Sequence, residues 1–290
     1  MRFTQELQLT RKCEILLVGN ELLIGKTRDL NGFWLGKHVS SFGISVTRIT
    51  IVRDDVDEIA SILQQILKRK PNLLFISGGL GPTYDDLTME AVAESLDREL
   101  ELNEVALGWL HERYREGVRK GRMKNAGLNT ARKKMALLPS NTTPLKNGAG
   151  AAPGVYIQEK NTMIFILPGV PRELQAIFKG EIAPMLEREF SDIRFHQHAF
   201  IVEDVGESSM ADGIISIMKE TDNRIWIKSH AKKRGKDYYV LIHVTGYGGE
   251  DVEKKVTVVA KKVKELIENL GGRIFPEEKY GDGEEEDLGI

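Results

Sequence analysis

Phe75-Ile-Ser-Gly-Gly-Leu-Gly-Pro-Thr-Tyr-Asp-Asp-Leu-Thr88 runs from an apolar strand through a glycine-rich turn into two adjacent carboxylates. Gly78, Gly79 and Gly81 tolerate backbone angles that other residues resist, so successive N–H groups can point at one anion. A helix expected to start near Asp86 adds its positive end. Asp85 and Asp86 would repel a phosphate unless a divalent cation stood between the two sets of oxygens. The stretch therefore reads as a site for metal-assisted chemistry on a phosphate or diphosphate.

The chain on either side makes this turn the end of a third parallel strand. Upstream, Glu14-Ile-Leu-Leu-Val18 is apolar without alternation, as strands buried on both faces are. Asp29 to Phe42 predicts a helix, with Leu30, Trp34, Leu35, Val39 and Phe42 near the helical period and Gly43 as its stop. Val46 to Val52 is a second strand. Asp55 is placed to cap the next helix, whose inward stripe is Ile59, Ile62, Leu63, Ile66 and Leu67. Pro71 ends that helix, and Asn72 to Ser77 is the third strand. Strand, helix, strand, helix, strand implies a parallel sheet with right-handed crossovers, and such sheets bind ligands at the carboxyl ends of their strands.

Downstream, helices are expected to about Leu96 and from Asn103 to about Lys120. Asn125 to Lys134 reads as a basic loop over the site. Short strands follow at Met135 to Pro139, Gly154 to Gln158 and Met163 to Leu167. The last of them ends in Pro168-Gly-Val-Pro-Arg-Glu173, and a helix to about Phe190 completes an α/β domain over residues 1–190. From Phe195 the pattern becomes strand, helix, strand, strand, helix, strand. That order resembles a split βαβ unit and predicts a small α+β domain over residues 191–276. Residues 277–290 are acidic and read as a disordered tail.

Composition narrows the class. With 41 basic against 43 acidic residues, the net charge of −2 gives no reason to expect nucleic acid or an anionic membrane as partner. The apolar runs are too short for a membrane span, and the charged N-terminus lacks the core of a signal peptide, so a soluble, cytoplasmic protein is expected. Cys13 is the single cysteine, which excludes an intramolecular disulfide and a thiolate cluster. It precedes a core strand with no legible Cys-His pairing, which argues against a nucleophile.

Two better-known phosphate fingerprints are near misses. Gly19-Asn-Glu-Leu-Leu-Ile-Gly-Lys-Thr27 follows the first strand like a Walker A loop, but five residues separate its glycines and three of them are bulky. Gly79-Leu-Gly-Pro-Thr-Tyr84 imitates a dinucleotide fingerprint, yet Tyr84 stands where glycine or alanine is needed and Pro82 removes a donor. The plainest alternative is a tight turn with Asp86 as a helix cap. Against it stand Glu21 past strand one, Asp54-Asp55 past strand two and Arg172-Glu173 past the last apolar strand, which should converge on one rim. His196 and His198 would share one side of a strand without a third ligand, and Lys228 to Lys236 reads as a solvated hairpin.

Taken together, Val18-Gly-Asn-Glu-Leu-Leu-Ile-Gly25 with Asp29-Leu-Asn31, Val52-Arg-Asp-Asp55, Ser77 to Thr88, Asn129 with Ala131, and Leu167-Pro-Gly-Val-Pro-Arg-Glu173 resemble the N-terminal module of the competence-damage (CinA) family. That module is similar to the molybdopterin-binding domain of the MogA and MoeA molybdenum-cofactor proteins. The resemblance implies a three-layer α/β molybdopterin-binding fold with a mostly parallel sheet. It also implies hydrolysis of ADP-ribose, or a related dinucleotide, to AMP and ribose 5-phosphate with a divalent cation, magnesium or cobalt. Carried over, Gly78, Gly79, Gly81 and Thr83 would hold the diphosphate, and Asp86 and Asp54 match the family's acidic positions. As a mechanistic expectation, the metal would sit on Asp86 or Asp85, with Asp54 completing its coordination. Glu21 or Asp54 would orient the attacking water, and Arg172 would stabilise the leaving phosphate. Asn31, Asn129, Arg132 and Gly169 are expected in the substrate loop. The alternative is a non-catalytic binder of molybdopterin or a nucleotide, although Leu80 replaces the threonine of the Gly-Gly-Thr-Gly seen in cofactor-insertion proteins. Bacterial members continue into a nicotinamide-nucleotide deamidase domain. Here that activity is expected only from a separate polypeptide, and a homodimer is the expected assembly.

Overall fold

The computed structural model describes residues 11–190, 193–234 and 237–280. These form two compact units, one of residues 11–40 with 44–190 and the other of residues 193–280 with 41–43.

In the first unit, strands β1 (Arg11–Val18), β2 (Ile44–Val52) and β3 (Leu73–Ser77) alternate with helices α1 (Asn20–Leu23), α2 (Asn31–Ser40) and α3 (Val56–Lys68). Helix α4 (Thr88–Ser95), strand β4 (Leu100–Leu102), helix α5 (Glu104–Arg119) and the short α6 (Thr130–Lys134) follow. Strands β5 (Leu137–Pro139), β6 (Thr143–Leu145), β7 (Gly154–Glu159) and β8 (Thr162–Leu167) lead to α7 (Pro171–Ile177), a π turn over Phe178–Ile182 and α8 (Ala183–Glu189). The main sheet has the order β2-β1-β3-β8-β7-β6. Its first four strands are mutually parallel, whereas β7 runs antiparallel to β8 and β6 to β7. β4 and β5 make a separate ribbon.

The apolar runs become the central strands because helices cover both faces. Leu16 and Val18, Leu74 and Ile76, and Ile164 and Ile166 share a cluster with Ile59, Leu63 and Ile66 of α3, Ala91 and Val92 of α4 and Leu110 of α5. On the other face Phe75 stacks on Phe165 with ring centroids 5.4 Å apart, and Phe178 of the π turn lies 6.0 Å from Phe75. Trp34 of α2 meets Phe178 edge-on at 5.1 Å. The register pairs Leu17 with Ser77 and Ser77 with Leu167, so β1, β3 and β8 end at one level. Three loops therefore leave the sheet side by side.

Local signals explain the helix starts. Asp55 caps α3, accepting from the Glu58 N–H at 2.9 Å, and Asn103 caps α5, accepting from the Ala106 N–H at 3.0 Å. Helix α2 begins at Asn31, two residues later than expected, because the Asp29 carboxylate takes the N–H groups of Asn31 and Gly32 at 2.9 Å each. Leu30 is then left exposed outside the buried stripe. Helix α4 begins at Thr88, with Leu87 in the capping position and no side-chain cap, so Asp86 neither starts nor caps it. Asn125–Lys134, expected as a loop, ends in α6, and only Leu137–Pro139 of the Met135 to Pro139 segment is strand.

In the second unit β9 (Arg194–Glu203), α9 (Glu207–Glu220), β10 (Ile225–Arg234), β11 (Asp237–Gly248), α10 (Glu250–Asn269) and β12 (Arg273–Pro276) follow the expected order. The sheet order β10-β11-β9-β12, antiparallel throughout, is a split βαβ arrangement in which β11 lies between β9 and β10. Val252, Val256, Val263 and Ile267 of α10 pack on Val202, Ile242 and Val244. Lys228, Lys232 and Lys233 belong to β10 rather than to a hairpin loop. They occupy a strand at one edge of the sheet, where lysine discourages pairing with another chain. His196 and His198 turn to different partners, the Gly248 carbonyl at 3.0 Å and the Thr257 hydroxyl at 3.1 Å. Residues 277–280, expected as the start of a disordered tail, form a 3-10 turn in which Lys279 pairs with Glu203 and lies 3.2 Å from the Phe275 ring centroid. The rest of that tail, residues 281–290, lies outside the described residues. No described helix is long and apolar enough to cross a membrane.

Candidate functional site

The loops after β1, β3 and β8 enclose a cleft of about 620 Å³. Its floor is the turn at residues 78–81. Gly78 and Gly79 have φ of +113° and +65°, and Cβ atoms there would sit 2.0 Å from the Val18 carbonyl oxygen and 2.3 Å from Thr88 Oγ1. Only glycine fits either position. The Gly78 N–H donates to the Leu167 carbonyl at 3.0 Å, and the buried Thr88 hydroxyl donates to the Gly78 carbonyl at 2.7 Å. Beyond these tethers the N–H groups of Gly79, Leu80 and Gly81 meet no acceptor among the described residues. Three consecutive donors without a partner, in residues that line the cleft, are available to an anion bound there.

Beside these donors, Asp86 closes its own loop. Its Oδ2 accepts from the Thr83 N–H at 2.8 Å and from the Thr83 hydroxyl at 2.6 Å. The same hydroxyl reaches the Asp85 carboxylate, so one proton serves two acceptors. That contact holds the Asp85 carboxyl below its ordinary range. Lys134 donates to the Thr83 carbonyl at 3.2 Å from the far side. Asp54 accepts from the Asn20 N–H at 2.8 Å, tying the end of β2 to the loop after β1. Partial burial raises the Asp54 carboxyl above its ordinary value; the Asn20 N–H works against this, and the charges of Glu21, Asp85 and Asp86 add to it. Glu21 folds back over Gly19, where a Cβ would meet its carboxylate at 2.7 Å. Glu21, Asp54, Asp85 and Asp86 thus line one cleft with the glycine turn.

The remaining predicted residues fall into different places. Asn31 is buried under the loops and donates to Ser77 Oγ at 3.0 Å and to the Gly169 carbonyl at 2.8 Å. Ser77 in turn donates to the Pro168 carbonyl at 3.2 Å, so one amide ties β3 to the loop after β8. Asn31 Oδ1 is buried without a partner among the described residues. Gly169 packs against Gly78, 3.3 Å from its would-be Cβ to Gly78 Cα. Asn129 caps α6 by accepting from the Arg132 N–H at 2.9 Å, and Arg132 donates to the Asn125 and Gly127 carbonyls at 3.1 and 2.7 Å. The Arg132 guanidinium also covers the Tyr114 ring at 4.0 Å, and it is Tyr114 that lines the cleft. Arg172 is exposed and outside the lining, whereas its neighbour Glu173 faces in. Glu173 was expected on the rim beside Arg172 but without a role of its own, and Tyr114 is a cleft residue that sequence reasoning missed. Cys13 is fully buried in β1, and desolvation pushes its thiol pKa far up, which leaves it unreactive.

The family model described as "Probable molybdopterin binding domain" matches residues 14–188. A protein of Metallosphaera sedula is 39% identical over 264 residues, covering 90% of this chain and 96% of its own length. One of Pyrococcus abyssi is 42% identical over 245 residues, covering 84% of this chain and 94% of its own length. Among solved structures, CinA of Thermoplasma acidophilum, described as of unknown function, is 33% identical with a TM-score of 0.54, covering 61% of this chain and 98% of that one.

Proposed function

This chain belongs to the family of probable molybdopterin binding domains, with a CinA protein among its structural relatives, and on that premise we propose that it binds molybdopterin or a nucleotide through a phosphate seated on residues 79–81. The unpaired N–H groups of Gly79, Leu80 and Gly81 carry this reading. Backbone donors need no reorganisation to meet phosphate oxygens, and the four nearby carboxylates favour a ligand that arrives with a cation. Calorimetry should register binding of inorganic pyrophosphate in the presence of magnesium. Gly79→Ala, which brings a Cβ against Thr88 and strains the turn, should weaken it at least tenfold. Equal affinity in a folded Gly79→Ala protein would overturn the reading.

A second reading, hydrolysis of the ADP-ribose diphosphate to AMP and ribose 5-phosphate, is favoured by the crowding of Glu21, Asp54, Asp85 and Asp86 on the same cleft. Among the described residues no three His, Cys, Asp or Glu side chains are placed to share one metal ion. The donor chemistry nonetheless fits magnesium, which takes one or two carboxylates and completes its shell with phosphate oxygens and water. Asp54 with Asp85 or Asp86 would hold magnesium or cobalt, and the ion supplies neutralisation of developing charge at phosphorus. Glu21 would orient a water and accept its proton as the oxygen joins phosphorus and the bridging P–O bond breaks. Arg172 is left out of this scheme because it does not line the cleft. AMP release from ADP-ribose should fall at least a hundredfold in Asp86→Ala, and full activity in that variant would sink this second reading.

A further inference from the structure

The cleft is lined by more than the phosphate turn and its carboxylates. Tyr114, Met135, Ala151 and Ala152 give it apolar lining, and Glu173 lines it from the segment after β8. This carboxylate is held in place. Asn147 donates to Glu173 Oε2 at 2.7 Å with the same amide that donates to the Ala152 carbonyl at 2.8 Å. Asn147 Oδ1 accepts from the N–H groups of Ala149 and Gly150 at 3.0 and 2.7 Å, which winds residues 147–152 around the carboxylate. A Cβ on Gly150 would fall 2.0 Å from Glu173 Cδ, so the seat exists only because residue 150 has no side chain. Glu173 Oε1 has no hydrogen-bond partner among the described residues.

We propose that Glu173 reads the ring of the bound ligand, selecting a 2-amino-4-oxopyrimidine edge, as in a pterin or guanine, over adenine. An ionised carboxylate only accepts hydrogen bonds, and each of its oxygens can accept more than one. The 2-amino-4-oxo edge presents two N–H donors side by side, from the exocyclic amine and the adjacent ring nitrogen. Adenine presents an amine beside a ring nitrogen lone pair, which a carboxylate repels. The apolar lining accepts the flat face of such a ring, and the fixed seat of Glu173 means that little ordering is needed on binding. A site built around a hydrogen-bonding group discriminates strongly against an analogue that leaves the group unpaired.

This inference rests on the proposed seating of phosphate on residues 79–81, and one titration series separates the two. Calorimetry of the whole chain, in magnesium buffer with product release monitored so that turnover is separated from binding, would compare inorganic pyrophosphate, GDP, IDP, ADP, ADP-ribose and 6-hydroxymethylpterin diphosphate. GDP or the pterin should bind at least tenfold tighter than IDP and ADP, and the tighter of those two names the natural ring. Glu173→Gln should erase that margin while pyrophosphate affinity stays within twofold. Equal binding of GDP, IDP and ADP by the unaltered protein, or tightest binding of ADP-ribose, would overturn the role of Glu173 and leave the phosphate turn standing. Absence of pyrophosphate binding would overturn both. The comparison among ligands decides the matter even if Glu173→Gln does not fold.

Discussion

Asp54 is where charge and geometry at the cleft meet. Its carboxyl is raised by partial burial and by Glu21, Asp85 and Asp86, against the pull of the Asn20 N–H. A carboxyl whose folded pKa lies above its unfolded value binds its proton more tightly when folded. Ionisation therefore costs stability as pH rises from about 4, the unfolded value, through the folded one, and the cost is complete above it. Asp54→Asn keeps an oxygen for the Asn20 N–H and removes that cost. The variant should melt at a higher temperature than the parent at pH 7, with the difference vanishing below about pH 4; thermal melts across that range would check it, and a lower melting temperature at pH 7 would refute it. The residue scale also shows where sequence reading stops. Gly78, Gly79 and Glu21 were legible because each follows a strand with a continuous apolar run, and Asp54 because it follows an alternating one. Arg172 and Glu173 are adjacent in the first turn of α7, so their side chains diverge, and which one faces the cleft depends on how that helix lies on the sheet.

Among the elements, α5 shows how a cap far from the cleft serves it. Asn103 fixes the start of the helix, and Tyr114, eleven residues on by number and buried, is delivered to the cleft wall. Asn103→Ala should cost about 1 kcal/mol of stability, as loss of an N-cap does, read as a lowered denaturation midpoint with unchanged slope. Strands β1, β3 and β8 could be read directly because a strand buried on both faces has a continuous apolar sequence. Strands β4 and β6, three residues each, carry no period to detect. The reversal of β7 had a sign in the sequence: two residues, Lys160 and Asn161, link it to β8, too few for a parallel crossover, and Lys160 takes a φ of +51°. Helix α4 begins later than its sequence suggests because Asp86 spends its carboxylate on Thr83 rather than on a helix N–H.

Across the whole molecule, two cores divide the labour. One is built on a sheet with helices on both faces and carries every candidate site residue; the other is a split βαβ unit whose buried residues come from its own helices and strands. The division was legible because the order of elements changes from alternation to a symmetric six-element pattern. The convergence of charged side chains was only half legible, since the sequence places carboxylates at strand ends but not their hydrogen bonds to Thr83 and Asn20. The common level at which β1, β3 and β8 end also restricts how such a chain can change in length. One residue inserted into β3 would carry the turn about 3.3 Å past its neighbours and exchange the faces of the side chains beyond it. Gly78 would lose Val18 and Gly169 together, and Asn31 would lose Ser77. Insertions and deletions are therefore tolerable in exposed connections such as 120–124, and forbidden in the three strands whose ends hold the cleft.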